Sequence, residues 1–243
     1  MLARIRGALG HAGAPSTPQP LPPYAGVVAA QADGLVSRFC DELEGVGGHV
    51  KRLRSAAEVT GYVARLLPTA TDAAVAVSDS AAARRLGLRE WLAERDVRVV
   101  RTLKEFAATE FVPTNSARGG ARDAGLMEQY KQTLLRASLG ITSADYAIAE
   151  TGTLVLVSGG EQHRLISLLP PVHVCLLEPE RIVPNLATLL ARVRAELYAG
   201  AEPPPQALTF ITGPSRTADI EHTLTMGVHG PSELHVVLHS FDD

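Results

Sequence analysis

The sequence predicts an α/β protein: a three-layer α/β/α sandwich built on a mostly parallel sheet. Three observations lead there. Short apolar runs bounded by polar or glycine residues, such as Tyr146 to Ala149 and Leu154 to Val157, read as strands buried on both faces. Stretches with apolar residues at spacings of three and four separate many of these runs, and that alternation is the mark of crossover units. A chain of 243 residues has room for one sizeable α/β domain and little more. The expected organisation is a flexible N-terminal arm over 1–24 and a single domain over 25–243.

Taken in order, the arm carries a short helix-forming start and then five prolines between Pro15 and Pro23, which cannot continue it. Val28, Ala32, Leu35, Phe39 and Leu43 share a helical face, and Gly45 to Gly48 end that helix. A strand near His49 to Leu53 precedes Ser55-Ala56-Ala57-Glu58, a capping box that opens a helix to about Leu67. Ala73 to Ser78 and Val97 to Val100 read as strands around a partly helical Ala81 to Glu94. Pro113 to Asp123 is polar and glycine-rich, hence a loop expected to be mobile. Gly125 to Leu139 returns to helix, with Leu126, Tyr130, Leu134 and Ala137 on one face. His173 to Leu177 is a strand, and Pro184 suits the first turn of a helix through Leu186, Leu189, Leu190, Val193 and Leu197. Pro203 to Pro205 break that helix before strands at Leu208 to Thr212 and Leu234 to Leu238.

Composition excludes several classes. With 46% hydrophobic and 20% charged residues the chain is of ordinary globular type. A formal net charge of -3 without a basic stripe argues against nucleic acid as a partner. Cys40 and Cys175 lie far apart in apolar patterns and read as core residues; an iron–sulfur cluster takes about four cysteines at short spacings. No apolar run approaches the ~18 residues of a membrane span, and the expected location is the cytoplasm. No G-x-G-x-x-G follows a strand, and Gly120 and Gly125, although at P-loop spacing, are followed by Leu126 instead of lysine. Neither a dinucleotide nor a nucleotide cradle is expected.

Chemistry concentrates in two turns, which we expect to lie close together. The first is Glu150-Thr151-Gly152-Thr153, a carboxylate between two apolar strands. Glu150 is suited to act as nucleophile or general acid/base, or to accept backbone hydrogen bonds that hold the turn. The second is Gly213-Pro214-Ser215-Arg216-Thr217 in FITGPSRTADIE. A helix starting near Ser215 would present free N–H groups to a carboxylate or phosphate, with Arg216 as a bidentate grip; the alternative is a tight turn in which Ser215 caps its own helix and Arg216 is solvated. In an open parallel sheet such turns, together with Ser78-Asp79, belong outside the carboxyl ends of the strands. His222, His229, His235 and His239 fall within the last 22 residues. On a strand His235 and His239 would stand ~13 Å apart at ~3.3 Å per residue, too far to share an ion, so no metal is expected and these read as surface and turn histidines. His229, in GVHGP, is the exception, suited to acid/base work or to hydrogen-bonding a ligand. His163 with Arg164 is placed beside the same pocket.

The blocks AIAETGTLVL, RLISLLPPVHV, ITGPSRTADIE and GVHGPSELHVVL, in that order, resemble the signature blocks of the LUD domain family, that of lactate utilization protein C. They span roughly Ile141 to Leu238. At the turn after TLVL the chain departs from the family pattern, with Gly160-Glu161-Gln162-His163. The resemblance implies a fold similar to the ribose-phosphate isomerase and CoA transferase group, and a component of the bacterial L-lactate utilization system, which oxidises L-lactate to pyruvate. It implies iron–sulfur partner proteins that carry the clusters, with no cofactor in this chain. The residues of the two turns add a small carboxylate or phosphate as the expected ligand near Glu150 and Ser215. The alternative function is a stand-alone acyl- or CoA-transferase-like, or isomerase-like, enzyme using Glu150.

Overall fold

The computed structural model describes residues 32–67, 74–110, 119–158, 164–197, 207–218, 224–227 and 229–240. The arm over 1–24, Val28, residues 113–118 of the glycine-rich loop, Gly160 to His163, Pro203 to Pro205 and His222 lie outside them.

Helix α1 (Ala32–Gly45) buries Phe39 and Leu43, two members of the predicted face, and strand β1 (His49–Leu53) follows. Helix α2 (Ala56–Leu66) opens on the expected box: Ser55 Oγ accepts from the Glu58 N–H at 3.2 Å. The Glu58 carboxylate reaches back to the Arg54 N–H, at 2.7 Å. Next come β2 (Ala74–Val77), α3 (Ala81–Arg85), α4 (Leu88–Ala93), β3 (Arg98–Val100) and α5 (Leu103–Glu110). Helix α6 (Gly119–Leu135) already includes residues 119–123, assigned from sequence to a loop. It stops four residues before the expected Leu139, and β4 (Ala137–Ser143) takes over. The spacing Leu134, Ala137 suits a helix, yet Ala137, Leu139 and Ile141 are buried between β2 and its neighbour on the other side, a packing that only a strand allows.

The remaining elements are β5 (Tyr146–Ile148), β6 (Thr153–Ser158), a 3₁₀ turn over Arg164–Ser167, β7 (Val172–Leu177), β8 (Ile182–Val183), α7 (Leu186–Leu197), β9 (Ala207–Ile211), β10 (Arg216–Ala218), β11 (Leu224–Met226) and β12 (Glu233–His239). Pro184 stands just before α7 instead of in its first turn, and Asn185 caps the helix, its side chain accepting from the Thr188 N–H at 2.9 Å. Six strands form a sheet in the order β1-β12-β7-β4-β2-β3, every pair parallel. One face, with Val75, Leu139, Val174 and Val237, is covered by α2, α3 and α4. The α/β expectation therefore holds.

The opposite face differs from a plain helical layer. There β8-β5-β6-β9 make a separate, mixed sheet, and its Ala147, Leu154 and Leu156 pack with Phe39 and Leu43 of α1 against Cys175 and Val236 of the main sheet. Helix α7 covers its outside through Leu189 and Val193. The two apolar runs flanking Glu150 thus belong to an antiparallel hairpin outside the parallel sheet. After β4 the chain reverses at Ala144-Asp145, where the Ala144 N–H donates to Leu176 O at 2.9 Å and the Asp145 carboxylate accepts from the Val157 N–H at 2.7 Å. Strand β5 then runs back toward the amino end of the main sheet.

Candidate functional site

That reversal decides where the two turns stand. At Gly152, where φ is +61°, an added Cβ would strike the backbone of Glu42 and Leu43. The hairpin turn therefore rests on the C-terminal part of α1, just before β1 begins. Gly213, with φ +88°, fits in the same way against Val46, and the Arg216 guanidinium lies beside Gly47. Both turns sit at the amino edge of the parallel sheet, not outside its carboxyl ends as expected. Only Ser78-Asp79 occupies the carboxyl edge, and there Asp79 pairs with Arg84 at 2.7 Å.

The expected proximity of the turns is found. Thr151 Oγ1 is 2.7 Å from Thr153 Oγ1, which is 2.7 Å from Thr212 Oγ1, so a chain of hydroxyls joins the end of β9 to the Glu150 turn. Backbone bonds fix Glu150 itself: Ala149 N–H donates to Val183 O and Glu150 N–H to Pro184 O, at 2.8 and 3.1 Å. The helix expected at Ser215 is absent. The Ser215 N–H donates to Pro231 O at 2.8 Å and its carbonyl accepts from the Gly227 N–H at 3.1 Å, while Arg216 and Thr217 continue into the antiparallel ribbon β10–β11. The Ser215 N–H is thus already engaged, and no helix N-terminus stands there to meet an anion.

What the second turn does build is a wall. A cleft of about 400 Å³ opens between the two sheets, at the amino ends of β7 and β12. Gly213, Pro214, Ser215 and His229 line it, with Arg164 and Phe210. Gly230 packs so closely on Ser215 that a Cβ there would lie 3.3 Å from the serine Cβ. Glu150, Thr151, Gly152, Thr153 and Arg216 are not among the lining residues. The predicted set is thus split: Gly213, Pro214, Ser215 and His229 face the cleft, and the Glu150 turn stands behind it, tied through Thr212.

The floor holds a group that sequence reasoning passed over. His173, on β7, has no exposed surface and lines the cleft. Thr142 Oγ1 of β4 is 2.8 Å from its Nε2, whereas Nδ1 is buried without a partner among the described residues. Such an unpaired buried group costs about 1–3 kcal/mol. Burial, aided by the nearby His235, pushes the imidazole pKa down to about 3, so it is neutral at ordinary pH. The signal was present in the sequence as a histidine in the apolar run VHVCLL. Two other histidines are likewise buried, contrary to the expected surface positions. His235 contacts Tyr62 Oη at 2.8 Å, stacks on His49 and reaches Glu233 at 3.2 Å. His239 is 2% exposed. Burial lowers the pKa of both.

A second cleft, of about 950 Å³, lies at the carboxyl ends of β7 and β12. Its arginines are paired internally: Arg85 with Glu178, Arg181 with the same Glu178 at 3.6 Å, and Arg192 with Glu196 at 2.6 Å. Desolvation pushes the Glu178 carboxyl up, but the Arg85 hydrogen bond and charge outweigh it and hold it below the usual range.

The LUD domain family profile matches residues 36–239 of the chain. A protein named Lactate utilization protein C from Halalkalibacterium halodurans is 42% identical over 96 residues, 40% of this chain and 41% of that protein. One of the same name from Exiguobacterium is 36% identical over 147 residues, 60% of each. The matched stretches thus span about two fifths to three fifths of these relatives' length. A crystal structure of a DUF162 family protein from Deinococcus radiodurans superposes with a TM-score of 0.55 at 23% identity, over 87% of this chain and 99% of that one, a likeness of fold. No described helix is long and apolar enough to cross a membrane.

Proposed function

The chain belongs to the LUD domain family, and on that premise we propose that it is a component of the bacterial L-lactate utilization system, holding a small anionic ligand in the amino-edge cleft. The observation that carries this reading is the cleft's rim. Arg164 supplies a cation and Ser215 a hydroxyl beside His229, a set suited to a carboxylate. Relatives named for lactate utilization support the pathway.

Oxidation of a hydroxy acid to an oxo acid releases an electron pair, and the side chains of this cleft are not electron carriers. In this reading the electrons pass to iron–sulfur clusters of partner proteins, and the chain binds or positions the anion. Acyl transfer by Glu150 gains no support from the geometry, because the hairpin turn stands outside the cleft lining.

The test is dye-linked L-lactate oxidation by the partner proteins, with and without this chain. Omission is expected to abolish turnover, and joint replacement of Ser215 and His229 by alanine to lower it about tenfold or more. Turnover that is indifferent to omission would end the proposal. Loss with Glu150→Gln alone, in a folded protein, would move the site to the hairpin turn.

A further inference from the structure

Among the described residues the six-stranded and four-stranded sheets end in the edge strands β1, β3, β8 and β9. An edge strand offers unpaired N–H and C=O groups, and proteins guard it with charge, proline or brevity. Strand β1 carries Lys51 and Arg52, β3 is three residues long and begins on Arg98, and β8 is two residues long with Pro184 next. Strand β9 has none of these guards: it reads ALTFI, five uncharged residues that include good strand formers. It pairs with β6 on one side and with no other strand among the described residues.

This open edge faces the amino-edge cleft. Thr209, Phe210 and Ile211 line the cleft in succession, and no residue of β6 does. Successive side chains of a strand point to opposite faces, so the cleft runs along the edge of β9 that β6 leaves open, and not over one face of the sheet. Phe210 and Leu168, 45% and 43% exposed, both line it. Its described lining includes Arg164 and no aspartate or glutamate. A carboxylate meets no repulsion there, and a polypeptide laid along β9 meets no charge that it would have to bury.

We propose that β9 takes an extended segment of a partner polypeptide as an added strand, with an apolar side chain of that segment against Phe210 and Leu168 and a carboxylate of it on Arg164. Backbone hydrogen bonds to β9 supply the affinity, and the cleft beside them selects the side chains, the usual division in strand addition. The inference rests on the reading of this cleft as a carboxylate site and deepens it by naming the kind of partner that brings a carboxylate there. Pairing β9 with a second copy of itself would bring two such clefts together, each with its arginine and neither with a carboxylate in its described lining. Charge therefore favours a different, acidic partner.

Calorimetric titration of the full chain tests it with the peptide acetyl-Thr-Val-Thr-Val-Phe as the free acid, as the carboxyl-terminal amide, as the amide extended by one aspartate, and as the free acid with its interior backbone amides N-methylated. The free acid is expected to bind about fivefold tighter than the amide, and the N-methylated acid about tenfold weaker than its parent. An aspartate amide that matches the free acid assigns the carboxylate to an acidic side chain, and one that matches the plain amide assigns it to a chain terminus. Arg164→Gln should erase the preference for the free acid. Phe210→Lys, which adds the missing guard at an exposed position, should weaken every peptide about tenfold. Equal affinity of the N-methylated and parent acids on the native chain overturns strand addition, whatever the variants do. Self-association of the native chain that Phe210→Lys abolishes, with no peptide bound, overturns the partner in favour of a second copy. L-lactate is titrated in parallel. If it binds and no peptide does, this inference is overturned and the cleft remains a carboxylate site. Binding of neither overturns both, with the pathway role still tested separately by the omission experiment.

Discussion

The two edges of the parallel sheet carry clefts of opposite character. At the carboxyl edge, Arg85 and Arg181 share the Glu178 carboxylate and Arg192 pairs with Glu196. An incoming anion would have to displace a pair already formed. At the amino edge the cleft has an arginine at the rim, largely apolar walls and a buried imidazole nitrogen with no partner among the described residues. The first site has spent its electrostatics on itself. The second retains unsatisfied polar capacity in a low-dielectric setting, where a correctly placed partner gains most. The position usual for ligands in parallel sheets is here filled by salt bridges, and the opposite edge keeps the open chemistry.

The comparison breaks most sharply if the amino edge is deformed. Gly152→Ala places a side chain at positive φ and against the Leu43 backbone. We expect a loss of about 3 kcal/mol, combining a left-handed residue with overpacking, read as a lower urea midpoint, with the Arg85–Glu178 edge unaffected in structure. A loss below ~1 kcal/mol would mean that the turn does not depend on its seat on α1.

Acid acts next. The folded pKa of His173, about 3, lies well below its ordinary 6.5, so the unfolded chain binds the proton first. This contribution is complete above pH 6.5 and is lost as pH falls toward 3, at up to ~1.4 kcal/mol per pH unit. His235 and His239, also lowered, add in the same direction. Urea midpoints at pH 7.5, 6 and 5 should fall in that order, less steeply in His173→Leu; a flat profile would contradict the buried neutral state.

Thr153→Val removes the middle of the hydroxyl chain from Thr151 to Thr212 while keeping the strand shape. A loss of about 1 kcal/mol is expected, along with weaker coupling of the Glu150 turn to the cleft, visible as faster amide exchange at Gly213. Unchanged exchange would make the chain incidental. The smallest effect is at the other edge. Glu178→Gln should change stability by under ~1 kcal/mol, since Arg85 is more than half exposed and screened. It should also free two arginines, so that phosphate raises the melting temperature of the variant and not of the native chain. Equal phosphate effects would show that the carboxyl edge was open from the start.

Local signals were readable wherever short-range physics decides the outcome. The Ser55–Glu58 cap, the apolar face of α1, the strands at β1, β2, β7 and β12 and the α7 helix all stand within a few residues of their expected places. The proximity of the two turns was also foreseen. Ala137 to Leu139 misled because a short apolar run fits either period, and its burial between two neighbouring strands is invisible in sequence. Arg216 and Thr217 misled because their partners, Leu224 to Met226, stand several residues away with no local turn signal joining them.

The sequence by itself determined that this is an α/β chain, which segments are apolar enough to be buried, and that Ser215 and His229 stand among the residues of a candidate site. These follow from composition, period and turn chemistry, each a property of a few neighbouring residues. Tertiary structure alone decided that the hairpin after β4 leaves the main sheet, and so which edge receives the turns. It also decided that the Glu150 turn packs on α1, and that the polar group on the floor of the cleft is His173. A strand's direction relative to the sheet, and the loneliness of one ring nitrogen, depend on contacts between β4, β7, β9 and β12. No window of sequence contains them.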